Sequence, residues 1–395
     1  METIYGCGSN HFSQLTIAAN CDDSDDKLQC HDCYKIPVPL HKLSETETLL
    51  KSAFTWSRFI ATFQTGDSVV THVSGFTAPK DSSLHSDPAH DSIVASPLKY
   101  PDKMITAVTD ADIYMCCQRD SLPSHILKDG DSEIIPVHIE KDKDEEILVT
   151  AAAGGHKDLY LAYDELSFGK VSVARETNTD HEESNTKNLS LTLQLFPIDS
   201  GLSISFVSCG KEHALLLSKH GTVYSYGLGS RGQLGHGTVE KEPTPRLIEA
   251  LEGLKVKTLS AGGWHSAAVA EAGDLYTWGW NESGQLGHPA LSLSSERGSR
   301  RTSISEDDVV GIQAEPRCAF DLTTEQNISH VSCGSRHTLC LTESGKVFAS
   351  GWNAYGQLGL GHLNPVDKFT LVDKIKGTCT RILAAQWNSL FVCKV

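Results

Sequence analysis

The chain has 395 residues, 39% of them hydrophobic and 21% charged, with a formal net charge of −16. No apolar run approaches the roughly 18 residues of a membrane span, and the acidic balance opposes neutralisation of phosphate backbones, so the composition argues against a membrane protein and against direct, sequence-specific DNA binding. It suits a basic partner, such as a histone tail, better.

The start, METIYGCGSNHFSQL, lacks the basic and apolar regions of a secretory signal and predicts an intracellular chain. In that compartment the 12 scattered cysteines read as reduced thiols, and no structural disulfide is expected. Cys21, Cys30, His31 and Cys33 form a C-x8-C-H-x-C run beside Asp22, Asp23, Asp25 and Asp26. One CxxC pair with no second pair at familiar spacing reads as loop thiols, with zinc as the alternative. No metal and no other cofactor is expected.

From 52 to 75, SAFTWSRFIATFQTGDSVVTHVSG gives an apolar run, a Gly turn and a second run; AVTDADIYMCC at 107–117 and ILVTAAAGGHKDLYLAY at 147–163 are fainter versions. Residues 51–200 thus read as degenerate repeat units. The acidic stretches at 140–146 and 176–188 between them read as solvated loops.

Residues 206–361 carry the repeat in clear form. CGKEHALLLSKHGTVYSYGLGSRGQLGHG, AGGWHSAAVAEAGDLYTWGWNESGQLGHP and CGSRHTLCLTESGKVFASGWNAYGQLGLG align without a gap, their starts 52 and 72 residues apart. Such a period marks a propeller blade. In each copy two runs flank a glycine (Gly221, Gly273, Gly345), which predicts a β-hairpin, and a Gln-Leu-Gly corner follows. The prolines at 243–245 open a candidate outer strand. The longer interval is an insertion at 290–316, where Arg297, Arg300 and Arg301 precede Thr302, Ser303 and Ser305 as in a kinase target; a tolerated surface insertion is the alternative.

At the C-terminus AAQWNSLFV, 384–392, supplies the first half of the repeat, with Asn388 in the histidine position, and IYGCGSNHFSQL, 4–15, supplies the second half. Pairing 1–16 with 380–395 in one blade closes a ring. The expected fold is therefore all-β, a single seven-bladed β-propeller over 1–395.

These motifs, GxxH[S/T/A] with an apolar run and then WGxNxxGQLG, resemble the repeat of the regulator of chromosome condensation family, and most of all its small single-ring members. The resemblance implies a monomeric, nuclear, chromatin-associated protein, partner of a JmjC-domain histone demethylase or hydroxylase and engaged in chromatin regulation. Guanine nucleotide exchange on a small nuclear GTPase, the role of the family's founding member, is the alternative.

No catalytic residue is expected. His213, His265 and His337 occupy one repeat position and read as structural, each tying two strands of its own blade; GLGSRGQLG at 227–235 reads as a blade corner, not a phosphate loop. The candidate partner contacts are the residues the repeat does not require: Trp264, Trp280, Asn281, Glu282, Arg336, Trp352 and Asn353. Packing within the ring is the competing role for the tryptophans.

Overall fold

The computed structural model describes residues 2–9, 33–45, 47–54, 58–65, 68–75, 92–93, 104–108, 114–118, 125–127, 134–136, 149–154, 158–163, 167–175, 189–197, 203–296, 309–319 and 327–395, with side chains chiefly from 203 onward. In chain order the strands begin with β1 (Glu2–Ser9) and β2 (Cys33–Lys42). The next sheet holds β3 (Glu47–Phe54), β4 (Arg58–Thr65), β5 (Ser68–Gly75) and β6 (Ser92–Ile93). Then come β7 (Met104–Val108), β8 (Tyr114–Gln118), β9 (His125–Leu127) and β10 (Ile134–Pro136). They are followed by β11 (Val149–Gly154), β12 (Asp158–Tyr163), β13 (Ser167–Arg175) and β14 (Leu189–Pro197).

The clear repeats supply β15 (Ile204–Cys209), β16 (His213–Ser218), β17 (Val223–Gly227) and β18 (Glu242–Leu247). The second clear repeat gives β19 (Val256–Ala261), β20 (His265–Ala270), β21 (Leu275–Trp280) and β22 (Ile312–Cys318). The third gives β23 (Ile328–Cys333), β24 (His337–Thr342), β25 (Val347–Gly351) and β26 (Val366–Leu371). The chain ends in β27 (Thr378–Ala385) and β28 (Asn388–Lys394).

Among the described residues these strands form seven four-stranded antiparallel sheets. Six run in sequence order, and the seventh has the order β2-β1-β28-β27, so the N-terminal strand pairs with the C-terminal one, Gly8 opposite Asn388. The first strands of successive sheets pack side by side from β7 through β11, β15, β19 and β23 to β27, and β27 meets β3. This is the seven-bladed propeller, closed as the sequence implies. The closing blade takes one strand more than the sequence reading assigned to it: β2, with Cys33 at its start, pairs on the outer edge of β1. The insertion in turn ends earlier than expected, because its last residues are already β22; a short helix, α1 (Leu291–Glu296), follows the second Gln-Leu-Gly corner. No helix among the described residues is long and apolar enough to cross a membrane.

The core lies between blades. One apolar cluster joins Leu215, Leu217 and Val223 of one sheet to Val256, Leu259 and Ala268 of the next, around fully buried Trp278. Equivalent clusters fill the neighbouring gaps. Strands β16, β20 and β24 are buried along their whole length because both of their faces meet a sheet, which is why they read as continuous apolar runs and not as alternating ones.

The glycine opposite each repeat histidine is fixed by close approach. Gly227, Gly279 and Gly351 have φ of 113°, 103° and 117°, and a Cβ on any of them would strike the carbonyl oxygen of Glu212, Trp264 or Arg336, the residue before the histidine. Gly8 repeats this relation in the closing blade, against Trp387.

One expectation is overturned. Cys379 and Cys393 face each other across the β27·β28 ladder and are joined by a disulfide. Fourteen residues of separation gave no sign of this pairing in the sequence; the antiparallel register creates it.

Candidate functional site: an aromatic and cationic belt across four blades

The repeat histidines come first, because the loops beside them carry the candidate site. His213 Nε2 lies 2.8 Å from Ser266 Oγ, His265 Nε2 2.9 Å from Thr338 Oγ1, and His337 Nε2 3.0 Å from Ser389 Oγ. Each hydroxyl belongs to the following blade, so the histidines rivet adjacent blades, not two strands of one blade as the sequence suggested. Alternation along a strand turns the side chain out of its own sheet and into the interface with the next. Each hydroxyl donates its proton to the backbone carbonyl of Gln233, Gln285 or Gln357, at 2.8, 2.7 and 2.6 Å. It therefore accepts from the ring, which fixes the Nε2–H tautomer and leaves Nδ1 a bare, buried acceptor with no partner. Burial lowers all three imidazole pKa values to about 3. These rings are neutral and sealed.

A second set of rivets joins the inner strands. The amides of Ala261, Cys333 and Ala384 donate to the hydroxyls of Ser208, Ser260 and Ser332 of the preceding blade, at 3.0, 2.9 and 2.8 Å. The buried thiols are equally inert: burial pushes Cys333 up to about 12 and raises Cys7 and Cys340 as well. Among the described residues no cluster of three or more His, Cys, Asp or Glu is placed to hold a metal. Cys21, Cys30 and His31 lie outside the described residues, as do Thr302, Ser303 and Ser305.

At the ends of β16, β20 and β24 the picture changes. Trp264 is half-buried in the loop before His265, and its Nε1–H donates to Glu212 Oε2 of the preceding blade at 3.0 Å. Its ring meets that of Trp280 edge to face at 5.7 Å. The Arg231 guanidinium stacks on both indoles, 5.3 Å from the Trp264 centroid and 4.2 Å from that of Trp280, while Lys211 Nζ lies 5.0 Å over Trp264. Arg336 continues the series, 4.1 Å from Trp280 and 5.5 Å from Trp352, and its Nη2–H donates to Glu282 Oε2 at 2.8 Å. Farther on, Tyr355 packs edge to face on Trp387 at 5.9 Å.

These side chains form one belt over four consecutive blades. The loops beneath it are bonded to each other: Lys211 N–H to Gly263 O at 3.2 Å, Gly263 N–H to Gly334 O at 3.1 Å, and Ser335 N–H to Gln386 O at 2.8 Å. The surface is preformed, with its long cationic side chains already ordered by stacking.

Of the expected contact residues, Trp264, Trp280, Glu282, Arg336 and Trp352 are brought together here. Asn281 and Asn353 are not available. Both are fully buried, and each amide is spent on its own corner: Asn281 donates to His288 O and Val310 O at 3.0 and 2.9 Å, Asn353 to His362 O and Asn364 O at 2.8 and 3.1 Å. Their Oδ1 atoms accept from Leu286 and Leu358 N–H at 3.0 Å. The Gln-Leu-Gly corner is built the same way, since Gln233, Gln285 and Gln357 accept from the amides of Arg231, Ser283 and Tyr355. Buried Leu234, Leu286 and Leu358 anchor it.

The sequence reading missed Lys211, Arg231, Tyr355 and Trp387. Their signal was positional: Lys211 sits two residues before its repeat histidine, Trp387 one residue before Asn388 in the histidine position, and Arg231 and Tyr355 two residues before the corner glutamine.

Two models of the regulator of chromosome condensation (RCC1) repeat match the chain, one at 220–269 and 272–341, the other at 204–233, 256–285 and 328–357. Residues 204–357 are an array of RCC1 repeats. The chain is 42% identical to RCC1 domain-containing protein 1 of Mus musculus over 180 residues, across 41% of this chain and 48% of the relative. It is 37% identical to the ultraviolet-B receptor UVR8 of Arabidopsis thaliana, across 41% of this chain and 32% of that one. The matched segment thus spans half or less of these curated relatives. The RCC1 fold extends further than the readable repeats. The structure of Prp20p from Saccharomyces cerevisiae, described with its binding to Gsp1p and histones, superposes with a TM-score of 0.64 at 16% identity, covering 100% of this chain and 92% of that one.

Proposed function

We propose that this RCC1-type ring is a non-enzymatic, chromatin-associated interaction platform of the nucleus, docking a JmjC-domain histone demethylase or hydroxylase and, through its acidic remainder, histones. The belt carries the reading. It offers stacked indoles and guanidinium groups on a rigid frame, the side-chain types on which interface energy concentrates, and among the described residues no activated nucleophile or base lies beside them. The partner class rests on the resemblance of the repeat motifs to the family's small single-ring members, and the histone binding named for Prp20p supports the chromatin setting.

The test is affinity capture of the full chain from nuclear extract, beside Trp280→Ala. Wild type is expected to recover a JmjC-domain enzyme and the variant, with its thermal unfolding retained, to recover at least roughly tenfold less, the loss typical of an interface anchor. Recovery undiminished by the substitution, or of no chromatin protein, would overturn the reading. Gsp1p binding by Prp20p favours a second reading, nucleotide exchange on a small nuclear GTPase. Accelerated GDP release in stopped flow would replace the first reading with it.

A further inference from the structure

The belt has a charge sign opposite to that of the molecule. On a chain of net charge −16, it gathers Lys211, Arg231 and Arg336 against two carboxylates, Glu212 and Glu282, and both of these are already engaged, with Trp264 and Arg336. Arg231 has no carboxylate within 4 Å among the described residues. Its guanidinium and that of Arg336 both lie within 4.2 Å of one ring centroid, that of Trp280, which puts the two charges no more than about 8 Å apart. The two cations feel each other: burial lowers the Arg336 pKa most, Glu282 opposes this, and Arg231 pushes it down further. A pair of like charges held together by ring stacking, half desolvated and under-neutralised, favours an anion.

From this geometry we infer that the belt binds an extended acidic segment of a partner protein, two of whose carboxylates, spaced one residue apart, engage Arg231 and Arg336 across Trp280. Alternate residues of an extended chain lie on one side at about 7 Å, which matches the span available, whereas neighbouring residues point to opposite sides. The half-buried indoles of Trp264 and Trp352 supply apolar walls for the stems of those side chains. The inference deepens the platform reading by stating what chemistry its docking face selects: a segment acidic like the ring itself, accepted at this patch.

The probe is a fluorescein-labelled peptide of alternating Asp and Gly, titrated into the full chain by anisotropy, with an alternating Asn and Gly peptide and an alternating Lys and Gly peptide alongside. The Asp peptide is expected to bind in a salt-sensitive manner, and Arg231→Gln and Arg336→Gln each to weaken it at least roughly tenfold with unfolding temperature unchanged. Lys255→Gln, which removes a cation paired with Glu271 away from the belt, is expected to leave binding intact. Equal binding of the Asn peptide, preference for the Lys peptide, or equal weakening by Lys255→Gln would overturn the inference. So would a dimer in sedimentation velocity that Arg231→Gln dissociates, since the face would then belong to a second copy. Capture of the nuclear partner that persists in Arg231→Gln and Arg336→Gln would sink this inference and leave the platform standing.

Discussion

His265→Ala should cost the ring about 3 kcal/mol of stability, measured by denaturant unfolding, although no strand of its own blade depends on it. The substitution empties a fully buried site and withdraws the Nε2–H donor from Thr338 in the next blade. Partial recovery is expected in His265→Gln, whose amide nitrogen can reach the same hydroxyl. A double-mutant cycle with Thr338→Val should show coupling of about 1 kcal/mol, because the pair shares one hydrogen bond. Additive losses would mean that the histidine acts within its own blade after all.

Acid should unfold the protein through the same three residues. Their folded pKa values of about 3 lie below the ordinary value of 6.5, so the unfolded chain binds protons that the native ring refuses. Their contribution is intact above pH 6.5; it is lost as pH falls through that value, and the loss levels off only near the folded pKa of about 3. In that window three such histidines give a slope of about 4 kcal/mol per pH unit, large against the total stability of a typical domain. Unfolding midpoints measured between neutral pH and about pH 5 should therefore drop steeply, and His265→Ala should show a slope reduced by about a third. A pH-independent midpoint in this range would show that the rings charge freely in the fold.

The ring was legible in the sequence because its makers recur. The hairpins, the Gly227, Gly279 and Gly351 positions and the Gln-Leu-Gly corners are each demanded by backbone geometry in every clear blade, so three copies spell out the unit. Even Arg58, opposite Gly75, and Asn388, opposite Gly8, keep the histidine register. What lay beyond reading is what one blade does to the next. The histidine bonds and the stacking of Arg231 on two tryptophans of the following blade are contacts between residues distant in sequence, while the Cys379–Cys393 pairing lies within the closing blade and follows from its antiparallel register. The strand β2 was hidden in the same way, its partner being settled by ring closure and not by a repeat of its own. Asn281 and Asn353 were misjudged because a corner's internal amide bonds and a partner contact call for the same polar residue. The sign of charge is also not uniform over the surface. The net value described the whole chain, and the belt departs from it.

Hydrogen-exchange mass spectrometry of the full chain, alone and bound to the nuclear partner it captures, tests the central claim most directly, that the belt is the docking face. Added protection is predicted in the loop segments 210–213, 228–233, 262–265, 280–285 and 335–337. Protection confined to the outer strands β18, β22 and β26, with these loops unchanged, would contradict it.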